Sequence, residues 1–295
     1  MRDRIIAVLM SGIVFLAAFF AIDATIPEKS IKYRNEAYGT HERHTLNLNI
    51  PKENDGEIGL VLFIHGGAWI AGDKEVYEND LNEVSDILGY ASAAINYRYI
   101  DENTDLLDIM DDIDSALAFI KQKGEENGVN INKVLLTGGS AGGHLSLLYG
   151  YARVETAPIE PVAVVSLCGP TDLTDENYYI DNGLGDDDAI AELFSHGCGQ
   201  VFSYEDRDSE REALEKVSPL YYVNENTVPT VINHGMVDTI VPYSNAVALD
   251  AALTQYGVVH TFNSYPESGH GLDSDKENQK IAAEFFYGYC NTYLN

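Results

Sequence analysis

The chain has 295 residues, 45% of them hydrophobic and 22% charged, which suits a globular protein long enough to bury a sizeable core and argues against intrinsic disorder or a fibrous repeat. Lys and Arg number 18 against 47 Asp and Glu, a formal net charge of −29, and a field of that sign repels polyphosphates, so nucleic acid is a poor partner. The 3 cysteines, Cys168, Cys198 and Cys290, are too few and too widely spaced for a disulfide framework or a zinc site, while a single Cys168 to Cys198 bridge and unpaired thiols both stay open.

Along the chain, residues 5–22 form an apolar run without a charge behind Arg2 and Arg4. As a helix it would extend about 27 Å, close to a bilayer core. It reads as an export segment: a signal peptide cut near Ala21 or Ala24, or a retained membrane anchor. Either outcome puts the remainder outside the cytoplasm. Residues 1–24 are thereby set apart from one large domain over 25–295. In that domain, residues 46–50 alternate apolar and polar as an antiparallel edge strand would, and 59–64 and 91–95 are compact apolar runs suited to buried strands. Residues 105–123 carry Leu106, Ile109, Ile113, Leu117 and Ile120 at steps of three and four, which predicts a helix with one buried face. Further strand signals follow at 134–136, 162–167, 230–232 and 258–262, with helical stretches at 145–151, 246–256 and 278–293. Strands alternating with helices predict an α/β fold with a mainly parallel central sheet and helices on both faces. One acidic stretch, 172–216, interrupts the rhythm and reads as a lid-like insertion over the sheet edge. Its charge runs read as a solvated face, and no loop in it has calcium-binding spacing.

The strongest local signal is Gly138-Gly139-Ser140-Ala141-Gly142, between an apolar strand and a helix. A GxSxG elbow in that context forces the serine backbone into a strained turn and needs small neighbours, because strand and helix pass very close. It lifts the Ser140 hydroxyl to the sheet edge at a helix N-terminus, where negative charge is favoured. A serine hydroxyl is a weak nucleophile and needs a base and a group to orient it. The expected chain order of serine, acid and histidine selects Asp238, after the strand at 230–232, and His270, in a glycine-flanked loop beyond the last strand; Asp172 is the rival acid. His65-Gly66-Gly67-Ala68-Trp69 follows a buried strand and reads as an oxyanion loop, with donors from Gly67 or Ala68 together with Ala141. His65 reads as a brace for that loop and His144 as structural. Trp69 is either a wall of the acyl pocket or a packing anchor.

The co-occurrence of HGGAW with Gly72-Asp73-Lys74, Asn96-Tyr97-Arg98, Asp112-Ile113, GGSAGGHL, HGMVDTIVP and SGHG resembles the α/β-hydrolase esterases, and within them the hormone-sensitive-lipase-like and bacterial feruloyl/acetyl esterase branch. The resemblance runs from about residue 45 to the C-terminus. It implies a Ser140, Asp238, His270 triad that hydrolyses short acyl or aryl esters, including those on plant polysaccharides, with no metal or organic cofactor. Ala68 stands where hormone-sensitive-lipase relatives usually carry a third glycine, which admits formamidase-like relatives. The reading from sequence is therefore an exported or membrane-tethered serine carboxylesterase acting on a small or polysaccharide-linked ester. An amide hydrolase with the same machinery and an inactive binding protein on this scaffold are its rivals.

Overall fold

The computed structural model describes residues 29–180 and 187–295. Residues 1–24, with their apolar run, and Leu184 of the insertion lie outside the described residues. Among the described residues no helix is long and apolar enough to cross a membrane.

A single sheet contains β1 (Ser30–Ala37), β2 (Thr45–Pro51), β3 (Leu60–Ile64), β4 (Ala91–Ile95), β5 (Lys133–Gly139), β6 (Glu160–Leu167), β7 (Thr230–Gly235) and β8 (His260–Tyr265). Its spatial order is β1-β2-β4-β3-β5-β6-β7-β8. β1 and β2 run antiparallel and β3 to β8 are parallel. In β3 every side chain is buried, with Leu60, Leu62 and Ile64 entering one apolar layer and Val61 and Phe63 the other. That is what a continuous apolar strand does when helices cover both faces.

The helices are α1 (Glu78–Glu83), α2 (Leu106–Glu126), α3 (Ala141–Ala152), α4 (Asp187–Cys198), α5 (Arg211–Lys216), α6 (Tyr243–Tyr256) and α7 (Lys276–Tyr293). α2 begins at a reciprocal cap, in which the Asp105 carboxylate accepts from Leu107 and Asp108 N–H while Asp108 accepts from Asp105 N–H, an arrangement worth about 1 kcal/mol. Buried residues of α2, α3 and α6 share one layer, whereas those of α1 and α7 lie in the other.

Two expectations are corrected. The strand over 46–50 is antiparallel but not at the edge, because β1 pairs along its outer side. Its polar alternation does not face water: Asn47 and Asn49 are fully buried. Asn47 accepts from Asn35 N–H at 2.9 Å and Asn49 accepts from Arg34 at 2.8 Å and donates to Ser85 at 3.1 Å, so burial is compensated. The Cys168 to Cys198 alternative is not realised, since all three cysteines are free.

Strand order fixes the place of the chemistry. From β3 the chain moves outward to β4 and then returns past β3 to β5, so the loops after β3 and β5 leave the same sheet edge in opposite directions and open a crevice between them. Ile64 pairs with Gly138 in register, which brings His65 to Trp69 beside Ser140.

Candidate active site

Ser140 caps the N-terminus of α3 with φ 56 and ψ −124, a strained conformation for a residue with a side chain. The reason for its small neighbours is measurable. A Cβ on Gly142 would stand 1.9 Å from Ile64 O and one on Gly138 would stand 2.3 Å from the same atom. The loop after β3 lies directly against the elbow, since a Cβ on Gly66 would meet Gly139 O at 2.8 Å.

The loop itself runs through three successive left-handed residues, Gly67 (φ 115), Ala68 (φ 49) and Trp69 (φ 59). Ala68 thus occupies a conformation that glycine adopts without cost and an alanine only at about 1–2 kcal/mol. Gly67 O accepts from Ile70 and Ala71 N–H at 3.1 and 3.0 Å, closing the turn. Among the described residues the N–H groups of Gly67 and Ala68 donate to no acceptor, and that of Ala141, in the first turn of α3, has no intrahelical partner.

Several groups hold this conformation. His65 is buried; its Nδ1 lies 2.8 Å from Gly66 O, its ring stacks on Tyr97 with centroids 4.3 Å apart, and Arg43 donates to its Nε2 at 3.2 Å. Arg43 also donates to Tyr97 O at 2.8 Å and to Gly72 O at 3.1 Å, with its guanidinium 3.8 Å over the Tyr99 ring. Because Arg43 can only donate, His65 carries its hydrogen on Nδ1. Burial lowers its pKa to about 4, which keeps it neutral. Tyr97 Oη donates to His65 O at 2.8 Å, and Asn96 accepts from Lys74 N–H and donates to Asp73. Arg98 clamps the buried Asp112 of α2 at 2.7 Å. The Gly-Asp-Lys, Asn-Tyr-Arg and Asp-Ile strings thus form the scaffold of the loop.

Asp238 and His270 meet on the loops after β7 and β8: Nδ1 donates to Asp238 Oδ2 at 2.8 Å. Asp238 Oδ1 accepts from Ile240 and Val241 N–H at 2.8 and 3.1 Å, and the carboxylate is fully buried. Burial alone would raise its pKa, but His270 and His234 against it hold it far below the usual carboxylate range. With Nδ1 committed to Asp238, Nε2 is the basic nitrogen, and among the described residues it is buried without a hydrogen-bond partner. The rival acid has another task, as Asp172 accepts from Thr174 N–H and Oγ1 at 2.9 and 2.6 Å.

Beside Ser140 lies an apolar cavity of about 40 Å³, with Ala68, Trp69 and Ala141 on one side and Tyr178, Ile190, Leu193 and Phe194 of the insertion on another. Trp69 therefore faces the cavity and is packed at once, with 3% of its surface exposed. Tyr179 packs against Tyr204 with ring centroids 4.9 Å apart at a tilt of 46°, under Arg207.

The BD-FAE family model matches residues 46–253. The chain belongs to this family. Among its relatives, the "Probable carboxylic ester hydrolase LipM" of Mycobacterium tuberculosis is 30% identical over 71% of this chain and 49% of its own length. The "Isoprenylcysteine alpha-carbonyl methylesterase ICME" of Arabidopsis thaliana is 25% identical over 76% of this chain and 53% of its own. The chain spans about half the length of these relatives. In three dimensions it is similar to esterase B from Lactobacillus rhamnosis, with a TM-score of 0.73 at 21% identity, covering 98% of this chain and 95% of that one. A truncated carbohydrate esterase from gut microbiota superposes with a TM-score of 0.71 at 22% identity, covering 90% and 98%. The fold is that of the α/β-hydrolases.

In this BD-FAE chain two neighbours of Asp238 carry no role in the motif reading. His234 reads from sequence as an ordinary strand residue, yet its Nε2 lies 3.4 Å from Asp238 Oδ2 and 3.0 Å from Val241 O; the step of four from His234 to Asp238 across the strand end was the available signal. Cys168, with φ 49 immediately after β6, brings its Sγ within 4.8 Å of an Asp238 carboxylate oxygen and a His270 ring nitrogen. Only the pairing of β6 with β7 brings it there.

Proposed function

We propose that the protein is a serine carboxylesterase that hydrolyses esters of short acyl groups through an acyl-enzyme. The observation that carries this reading is the small apolar cavity opening on Ser140 between the oxyanion loop and the insertion. It is small and walled by apolar side chains, which suits the alkyl part of a short acyl group such as acetyl or propionyl. His270 Nε2 takes the Ser140 proton as Oγ attacks the ester carbonyl. Asp238 holds the tautomer and stabilises the imidazolium. The oxyanion is received by the N–H of Ala141 with that of Gly67 or Ala68, each donor being worth about 2.7–4 kcal/mol in the transition state. His270 then protonates the leaving alcohol, and water, activated by the same nitrogen, releases the acid.

The names of the relatives support ester hydrolysis as the reaction class. Similarity to a carbohydrate esterase supports alcohol halves borne on polysaccharides. Export, with cleavage or membrane tethering of the N-terminal segment, is supported by the apolar run at 5–22 behind Arg2 and Arg4; N-terminal sequencing of protein from fractionated cells tests it.

The activity is tested with p-nitrophenyl esters from acetate to octanoate, beside acetylated xylan and methyl ferulate. Turnover is expected to peak at two or three acyl carbons. Ser140→Ala should lower it by about 10⁶-fold with unchanged thermal unfolding, because the variant adds no volume to the elbow. Near-parental turnover by the purified variant would remove Ser140 from the mechanism.

A further inference from the structure

His144 stands one turn beyond Ser140 on α3 and is fully buried. The imidazole joins two segments that are otherwise separate. Its Nδ1 accepts the indole N–H of Trp69 at 3.2 Å, and its Nε2 donates to Val217 O at 2.7 Å. The two rings are nearly perpendicular, at 78°, with centroids 5.0 Å apart. Trp69 belongs to the strained oxyanion loop and walls the cavity. Val217 follows α5, where the insertion ends.

The donor–acceptor polarity of this joint is fixed at both ends. A carbonyl oxygen only accepts and an indole N–H only donates, so a neutral imidazole with hydrogen on Nε2 satisfies both, and neither the other tautomer nor the imidazolium can. Burial lowers the His144 pKa to about 4, consistent with a ring that stays neutral near pH 7. The cost of leaving a buried indole N–H unpaired gives the Trp69 ring one preferred orientation.

We propose that His144 is a positioning residue for acyl-chain length, locking the Trp69 indole as a wall of the cavity so that only short acyl groups fit. This rests on the esterase reading and adds to it the residue that sets the substrate class. His144 touches no substrate; it acts through Trp69.

The two ring nitrogens can be separated by substitution. An Asn amide reproduces the position of Nδ1 and keeps an acceptor for Trp69. A Gln amide reproduces that of Nε2, keeps the donor to Val217 O and abandons Trp69. The readout is the ratio of kcat/KM for p-nitrophenyl hexanoate to that for the acetate, with thermal unfolding measured alongside. His144→Gln should raise the ratio by about tenfold or more, since a single methylene in an apolar pocket discriminates by about 10–200-fold. His144→Asn should leave it within about twofold of the parent even if stability falls. Equal ratios in parent, Asn and Gln proteins would show a purely structural brace and overturn the proposal.

Should the Gln variant not fold, Trp69→Phe removes the indole N–H by another route, and it too should raise the ratio. In that background His144→Leu, which removes the acceptor and should raise the ratio in the parent, should produce no further change. A further independent rise would mean that His144 does not act through Trp69. If the parent shows no Ser140-dependent turnover of any ester, the esterase reading fails, and this inference with it.

Discussion

Arg43 offers a direct test of how the proposed oxyanion loop is held. In Arg43→Ala three acceptors lose a donor: Tyr97 O, Gly72 O and His65 Nε2. Gly72 O keeps the Tyr99 hydroxyl at 2.6 Å, so two are orphaned, at about 1–3 kcal/mol each. Arg43 is only half-buried, and water can enter the vacated space, which puts the total near the low end, about 2 kcal/mol. That corresponds to a fall in Tm of about 4–8 °C for a domain of this size. Catalysis should suffer more than stability. Gly67, Ala68 and Trp69 all hold positive φ, so a released loop relaxes away from the geometry that aims their N–H groups. Loss of one oxyanion donor is worth about 10²–10³-fold in kcat, and a partly misaligned one should cost about 10–100-fold. KM should move by less than about threefold, because the donors act on charge that exists only in the transition state. Arg43→Lys, a point charge able to satisfy one acceptor at a time, should recover part of the loss. Steady-state kinetics on p-nitrophenyl acetate and thermal unfolding of the same preparations measure both quantities. A kcat within twofold of the parent alongside a lowered Tm would refute the argument, showing that the loop keeps its shape without the guanidinium.

Asp238→Asn should lower kcat by about 10⁴-fold by mis-setting the His270 tautomer, and Asp172→Asn, which only loosens the turn at Thr174, should cost less than about tenfold; the reverse ranking in the same assay would move the acid to β6. Stability should fall on acidification from pH 6.5 to 4. Buried His65 and His144 are held at about 4, so their contributions are present above the unfolded value and lost as pH falls, the unfolded chain binding two extra protons. Asp80 opposes them, because burial and neighbouring Glu83 push it up to about 7; its contribution is present at low pH and lost as pH rises from 3.8 to 7. The balance is about one proton, or about 1.4 kcal/mol per pH unit. Half-buried His44, also lowered by burial, adds in the direction of the other two histidines. Asp80→Asn should steepen the fall towards two protons, measured by urea unfolding at pH 6.5, 5.5 and 4.5; an unchanged slope would contradict the buried-acid assignment.

Much of the site was legible because its determinants are local. A nucleophile elbow needs small residues within two positions of the serine, and the contacts that Cβ atoms on Gly138 and Gly142 would make with Ile64 O explain that requirement. The helix at 106–126 was legible over 105–123 from its apolar steps, and Asp238 and His270 from their places in loops beyond strand signals. β1 was not legible, since its alternation is weak and its role is to cover β2. The buried asparagines of β2 misled for the same reason: their partners, Arg34, Asn35 and Ser85, lie on other segments.

The sequence by itself determined the α/β alternation, the elbow and the residue types at the candidate triad and in the loop after β3, because periodicity and backbone sterics act within a turn or a strand. The tertiary structure decided which remote groups meet. It paired Asp238 with His270, placed Cys168 against the acid, and stood Trp69 between the cavity and His144. Those choices depend on strand order and register, which bring residues tens of positions apart into contact, and no short window of the chain contains both partners.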